Sequence, residues 1–288
     1  MNTAMLSVPV LPGLFSPESV FWRVNREGLM VLAGPRALLL ELAHPLVAAG
    51  VAAHSNFRRD SLGRLYRTMR MMTDLNFGSL DDARRTAQRV ACCHQHVHGR
   101  LPEAVGPYLA GTPYRANDPR LKLWVLATLI DSVLLVHDRC LRPLSLAEKQ
   151  AYYHDSQLLA RAFGIPPEMM PPTYADFDTY VDSMLTSDLL TVGPVAREIV
   201  AALLAPPIGP LMRAASFVSI GLLPERLREA YHFEWGERQE RWLCRFAALS
   251  RRIRPLVPGA LCANPRALMT ELRWRRTQVE ITRSNPRP

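Results

Sequence analysis

Apolar residues recur along this chain at helical spacing, with no alternation of the kind a half-buried strand shows. Trp124, Ala127, Ile130, Leu134 and Leu135 fall on one helical face together with Asp131. The most apolar window, ALLLELAHPLVAAGVAA over 37–53, reads as a buried helix, because Glu41, His44 and Pro45 make it a poor membrane span. Helix starts are marked at SPES (16–19), with Ser16 as N-cap and Pro17 in the first helical position. They recur at SLDD (79–82), at the capping box SLAE (145–148) and in weaker form at TYAD (173–176). Punctuation comes from GP (34–35), NDP (117–119), GIPPEMMPPT (164–173) and APPIGP (205–210). With no convincing strand pair, repeat or low-complexity segment, the expected fold is all-α, with about ten helices.

The helices on either side of GIPPEMMPPT are too apolar to stand apart, so one domain is expected over 16–280. An N-terminal extension (1–15) precedes it and a frayed tail (281–288) follows. An apolar fraction of 48% over 288 residues is enough for a sizeable core and far from the disordered range. The net charge is +9, and of the 35 basic residues only Lys122 and Lys149 are lysines. The arginines are scattered along helices and do not form a tail, which argues against nucleic acid as a partner but leaves a peripheral contact with anionic membrane open. Five cysteines, two of them adjacent (Cys92 and Cys93), form no disulfide framework. The N-terminus lacks the form of a signal peptide, so a cytoplasmic location is expected, with no transmembrane segment.

Candidate chemistry concentrates in ACCHQHVHGR (91–100), which holds three of the eight histidines. On a helix His94 and His98 would share a face, and His96 would point elsewhere. Such a pair can hold zinc, but Gln95 stands where a general-base glutamate would be and no third ligand is apparent. A di-iron bundle needs two Glu-x-x-His motifs, and only Glu41 to His44 has that spacing. A haem needs less: one axial histidine, an apolar slot and cations for its propionates. Ordinary surface or core histidines fit the composition equally well. His44, in the most apolar segment, reads either as a core imidazole or as a pocket residue, and Asp131 as a residue that could orient an arginine or a ring nitrogen. Cys92 and Cys93 read as buried small residues, and His137, His154 and His232 as peripheral.

Several stretches, in order, resemble one family: the MpaB-type oxygenases, whose domain also forms the catalytic core of latex-clearing protein, the bacterial rubber oxygenase. They are ELAHPLVAAGVAAHSNF (41–57), GRLYRTM (63–69), LNFGSLDDA (75–83), HQHVHG (94–99), YRANDPRLKLWVLATLIDS (114–132), LSLAEKQAYYHDSQLLARAFGIP (144–166) and LREAYHFEWGERQERWL (227–243). The resemblance implies an all-α domain around a pocket for haem b, whose iron uses dioxygen to cleave carbon–carbon double bonds in an apolar substrate. On this resemblance His94 matches the axial ligand, Arg64 and Thr68 the Arg-x-x-x-Thr pair beside the haem, and Arg67 the distal basic residue. The chain departs from the pattern at His98, where the family has arginine, and at Leu126, where many relatives carry histidine. These two departures keep a second reading in play: a haem- or hydrophobic-ligand-binding module without turnover. Neither the substrate nor the oligomeric state can be read from the sequence.

Overall fold

The structure is a computed structural model that describes residues 13–55, 61–204 and 209–284. Its helices follow the capping signals closely. α1 (Val20–Asn25) and a 3-10 turn (Gly28–Leu32) lead into α2 (Ala33–Leu42) and α3 (Pro45–His54). The next two, α4 (Ser61–Phe77) and α5 (Leu80–Gln95), are followed by two three-residue strands, β1 (His98–Arg100) and β2 (Pro113–Arg115). Then come α6 (Pro119–Cys140), α7 (Leu146–Ala162), α8 (Tyr174–Thr186), α9 (Pro194–Leu204) and α10 (Pro210–Gly221). Four more close the chain: α11 (Glu225–Ala230), α12 (Glu237–Ile253), α13 (Gly259–Cys262) and α14 (Pro265–Ser284). Fourteen helices among the described residues exceed the expected number because α1, α11 and α13 are one-turn segments with too little periodicity to be recognised.

The caps show why the helices begin where they do. Ser79 Oγ accepts from Asp82 N at 3.1 Å while Asp82 accepts from Ser79 N at 3.0 Å. Ser145 with Glu148 and Thr173 with Asp176 repeat the device. Each pair satisfies two amide donors that the first turn leaves without a helical partner. Ser16 differs from expectation: it closes a turn onto Glu18 and Ser19, and Ser19 is the residue that caps α1. Phe15, assigned from sequence to the extension, is buried and stacks on Phe21 at 3.8 Å. The segment 281–284, assigned to the tail, continues α14.

α6 is the central element. It buries Leu123, Trp124, Leu126, Ala127, Ile130, Leu134 and Val136, and so is apolar on more than one face. It packs on α2 most extensively and also on α1, α7, α8 and α12. The apolar window 37–53 is not one helix but two, α2 and α3, bent by 103° where Ala43 and His44 break the run. Among the described residues no single helix is long and apolar enough to cross a membrane. The short antiparallel pairing of β1 with β2, in register His98 with Arg115 and Gly99 with Tyr114, was not expected from the sequence. Three residues are too few to show an alternating pattern.

Several polar groups inside the core are satisfied by backbone carbonyls or by each other. Tyr231 donates to the Leu39 carbonyl at 2.7 Å, Trp124 to Leu40 at 3.3 Å and Ser219 to Leu32 at 2.8 Å. Arg36, 2% exposed, donates to Asp131 at 2.6 Å, to Ser132 Oγ at 2.8 Å and to the Leu222 carbonyl at 2.9 Å. The partner expected for Asp131 is thus an arginine on α2.

Removing one member of such a pair leaves the other charge without compensation. Arg36→Met should cost about 3 kcal/mol, the low end of the range for a broken buried pair because Asp131 keeps some contact with water. Urea unfolding measures this, and adding Asp131→Asn to the arginine variant should cost less than the two single changes summed.

Candidate functional site

Two features of the chain place the predicted residues. The first is the α4–α5 connection through Gly78 and Ser79, where a Cβ on Gly78 would collide with the Asp74 carbonyl oxygen. So tight a link makes the two helices antiparallel neighbours. It sets the start of α4, with Arg64, Arg67 and Thr68, level with the end of α5, with His94. The second is the seating of the β1–β2 hairpin on α3. Gly50 lies within van der Waals distance of Val97 and the Tyr114 ring, and Gly99 sits so close to that ring that a side chain there would strike it. His54 Nε2 donates to the His98 carbonyl at 3.0 Å, fixing the end of α3 to β1.

His94 is in the last turn of α5 and half-buried. Desolvation, with a smaller contribution from the nearby Lys122 ammonium, lowers its pKa, so the ring is neutral at physiological pH. Among the described residues neither of its ring nitrogens has a hydrogen-bond partner. The neighbouring histidines are already engaged: His96 Nδ1 donates to the Cys92 carbonyl at 3.0 Å and His54 holds β1. Lys122, in the first turns of α6, is itself half-buried, and desolvation lowers its pKa. Sequence reasoning missed this residue; its signal was that it is one of only two lysines and lies just inside a helix start at NDP.

His44 has a different role from His94. It is buried, and its Nδ1 accepts from Leu46 N at 3.3 Å, which makes it the N-cap of α3 ahead of Pro45. Nε2 then carries the proton and is 3.2 Å from the Tyr108 hydroxyl. Both ring nitrogens are thereby occupied, and of the two open readings the structure favours the core imidazole. Burial brings its pKa down to about 4.

The remaining expectations divide. Arg67 and Thr68 are exposed on α4. The Arg64 side chain lies outside the described residues. His98 is not one helical turn beyond His94, because α5 ends at Gln95 and His98 belongs to β1, where its ring is exposed. The pairing of β1 with β2 overrides helical continuation there. Cys92 and Cys93 are exposed rather than buried, since the last turns of α5 pack on little besides α4. His137 is buried and donates to the Arg142 carbonyl at 3.0 Å, so it is not peripheral. Leu126 is fully in the core. No group of three or more histidine, cysteine, aspartate or glutamate side chains able to hold a metal ion exists among the described residues.

Residues 22–252 match the family described as ER-bound oxygenase mpaB/B'/rubber oxygenase, catalytic domain. Two mycobacterial proteins, uncharacterized protein Rv2237 of Mycobacterium tuberculosis and uncharacterized protein Mb2261 of Mycobacterium bovis, are each 26% identical to the chain over 231 residues. The alignments cover 76% of this chain and 87% of each relative. No solved structure gives a significant match.

The buried His44 makes stability pH-dependent in a defined direction. An unfolded histidine titrates near 6.5 and this one at about 4. The unfolded chain therefore binds the proton first, and stability falls as pH drops from about 6.5 to about 4, by about 3 kcal/mol in all. His44→Asn keeps a capping side chain that does not titrate. Its stability curve should be flatter than the wild type's across that window, as measured by urea unfolding at a series of pH values.

Proposed function

The chain belongs to the mpaB/rubber-oxygenase catalytic-domain family, and on that premise we propose that it is a haem b oxygenase that uses dioxygen on an apolar, unsaturated, lipid- or isoprenoid-like substrate. The observation that carries this reading is His94: a half-buried imidazole, neutral and with no hydrogen-bond partner among the described residues, at the end of a helix. A nitrogen lone pair that is not protonated and not engaged is what an axial ligand must offer. Haem bound there would supply the activation of dioxygen that no side chain can provide.

This chain's own residues contribute position, charge and exclusion of water. His94 sets where iron would sit and Val97 and Gly99, seated against α3 and Tyr114, set where His94 sits. On the family match Arg64 and Arg67 are the cations assigned to the haem's surroundings, and Lys122 adds a positive charge near His94. Arginine stays protonated throughout, so Arg67 polarises and does not act as a base. Thr68, one residue on, can donate or accept a single hydrogen bond. The packing of α3 on α9, with Val51, Leu203 and Leu204 half-buried, gives an apolar wall suited to a hydrocarbon substrate. The ring of His98, exposed on β1, stands where the family pattern has arginine.

His94→Ala should fold normally by circular dichroism and fail to retain haem, read from the loss of the Soret band after haem supplementation. A variant with an unchanged band moves the ligand elsewhere. For the wild type, oxygen uptake by the reduced, haem-loaded protein should depend on an unsaturated lipid or terpenoid, and labelled oxygen should enter a carbonyl or hydroxyl product. Haem uptake without any oxygen consumption across such a panel identifies the binding module instead.

A further inference from the structure

A sizeable cavity lies away from the histidines. It is an open groove of about 510 Å³ between the 3-10 turn after α1 and the segment α12–α13, with Leu29, Phe246, Leu249, Ile253, Val257 and Leu261 among its walls. Its one ion pair, Arg254 with Glu27 at 2.6 and 2.7 Å, is closed on itself, so the groove offers a ligand hydrocarbon and little else.

What surrounds the groove says what covers it. Trp242, Phe246, Leu249 and Ile253 recur at intervals of four, three and four along α12 and form one stripe. Trp242 is 56% exposed and Leu249 57%, and the stripe runs on into Leu256 and Leu261, at 81% and 78%. Arg238, Arg245 and Arg252, spaced by sevens, form the flank of the same stripe and are all exposed. None of the three has a carboxylate partner among the described residues, and Arg245 lies over the Trp242 ring at 5.8 Å. From Arg241 to Thr270 the chain carries six arginines and no acidic residue.

We infer that α12 with the turn that follows it docks on an anionic phospholipid bilayer, with the leucines and Trp242 in the headgroup–acyl boundary, the arginines on lipid phosphates and the groove open to one acyl chain. A basic helix with an exposed apolar stripe and a tryptophan at its edge is the pattern of a helix lying in the plane of a membrane surface. The charge distribution selects this occupant over a second copy of the chain. Two such faces brought together would oppose arginine to arginine, whereas an anionic surface neutralises each one. The inference is independent of the proposed oxygenase chemistry and requires no turnover.

Vesicle flotation with the full chain tests it. Phosphatidylglycerol-containing vesicles should bind the protein, phosphatidylcholine vesicles should bind it more weakly, and salt should reduce the difference. Leu256→Glu with Leu261→Glu, at two surface positions where the fold is not at stake, should weaken binding to anionic vesicles by at least about tenfold. Arg245→Gln with Arg252→Gln should cost roughly fivefold per arginine and abolish the preference for anionic lipid. Circular dichroism establishes that the variants are folded. Wild-type protein that ignores anionic vesicles overturns the inference, as does binding that survives both double variants. A dimer detected by sedimentation velocity and lost with Leu261→Glu assigns the face to self-association and overturns it as well.

Discussion

A guanidinium that leaves water must be neutralised and hydrogen-bonded on several sides at once, and Arg36 meets that demand by tying three helices together. Its donors reach Asp131 and Ser132 on α6 and the carbonyl that ends α10, while its own stem belongs to α2. The α2–α6 contact is the most extensive in the molecule, and a charge that must find all its partners allows one register for it. Apolar packing alone would tolerate a slide of one helix over the other. With α2 fixed, the direction in which α3 leaves it follows from the 103° turn at Ala43 and His44.

That turn is where the fold reaches the site. His44 caps α3 and Pro45 fills its first position, so the chain can change direction without stranding an amide. α3 then carries Gly50 and His54 to the β1–β2 hairpin, and the hairpin fixes the end of α5 where His94 stands. A residue named by family resemblance as an iron ligand is thus held by a chain of contacts that begins at the buried ion pair. His44, by contrast, acts in the fold as the cap of α3.

What the sequence disclosed and what it hid follow one physical line. The caps at Ser79, Ser145 and Thr173 were legible because both partners of a capping box lie three residues apart and need nothing from the rest of the chain. That Asp131 needs a partner was legible, since a carboxylate in an apolar run must be compensated, but that the partner is an arginine and not a ring nitrogen depends on a contact 95 residues distant. The strand at His98 was not legible, because it is decided by a partner, Arg115, that no local window contains, whereas the bend at His44 carries a local mark, a capping residue before Pro45, that the unbroken apolar run masked. Exposure misled in the same way for Cys92 and Cys93: a helix end reads as core by composition and is surface because few elements cover it.

The uneven burial of α4 and α5 bears on how a cofactor would act on this fold. Near their connection the two helices are well packed, with Leu75, Phe77, Ala83 and Thr86 buried. At the opposite end, where His94, Arg67 and Thr68 sit, they are half-buried or exposed. The β1–β2 hairpin fixes the backbone at that end, and the side chains of the two helices there remain less covered than those at the connection. A flat apolar ring inserted there would supply the missing contacts, so cofactor binding and local order would be one equilibrium: whatever binds the folded arrangement alone stabilises it in proportion to its occupancy. On the proposed reading, haem held by His94 would add apolar contacts to this less buried end of the hairpin and so stabilise the arrangement that binds it.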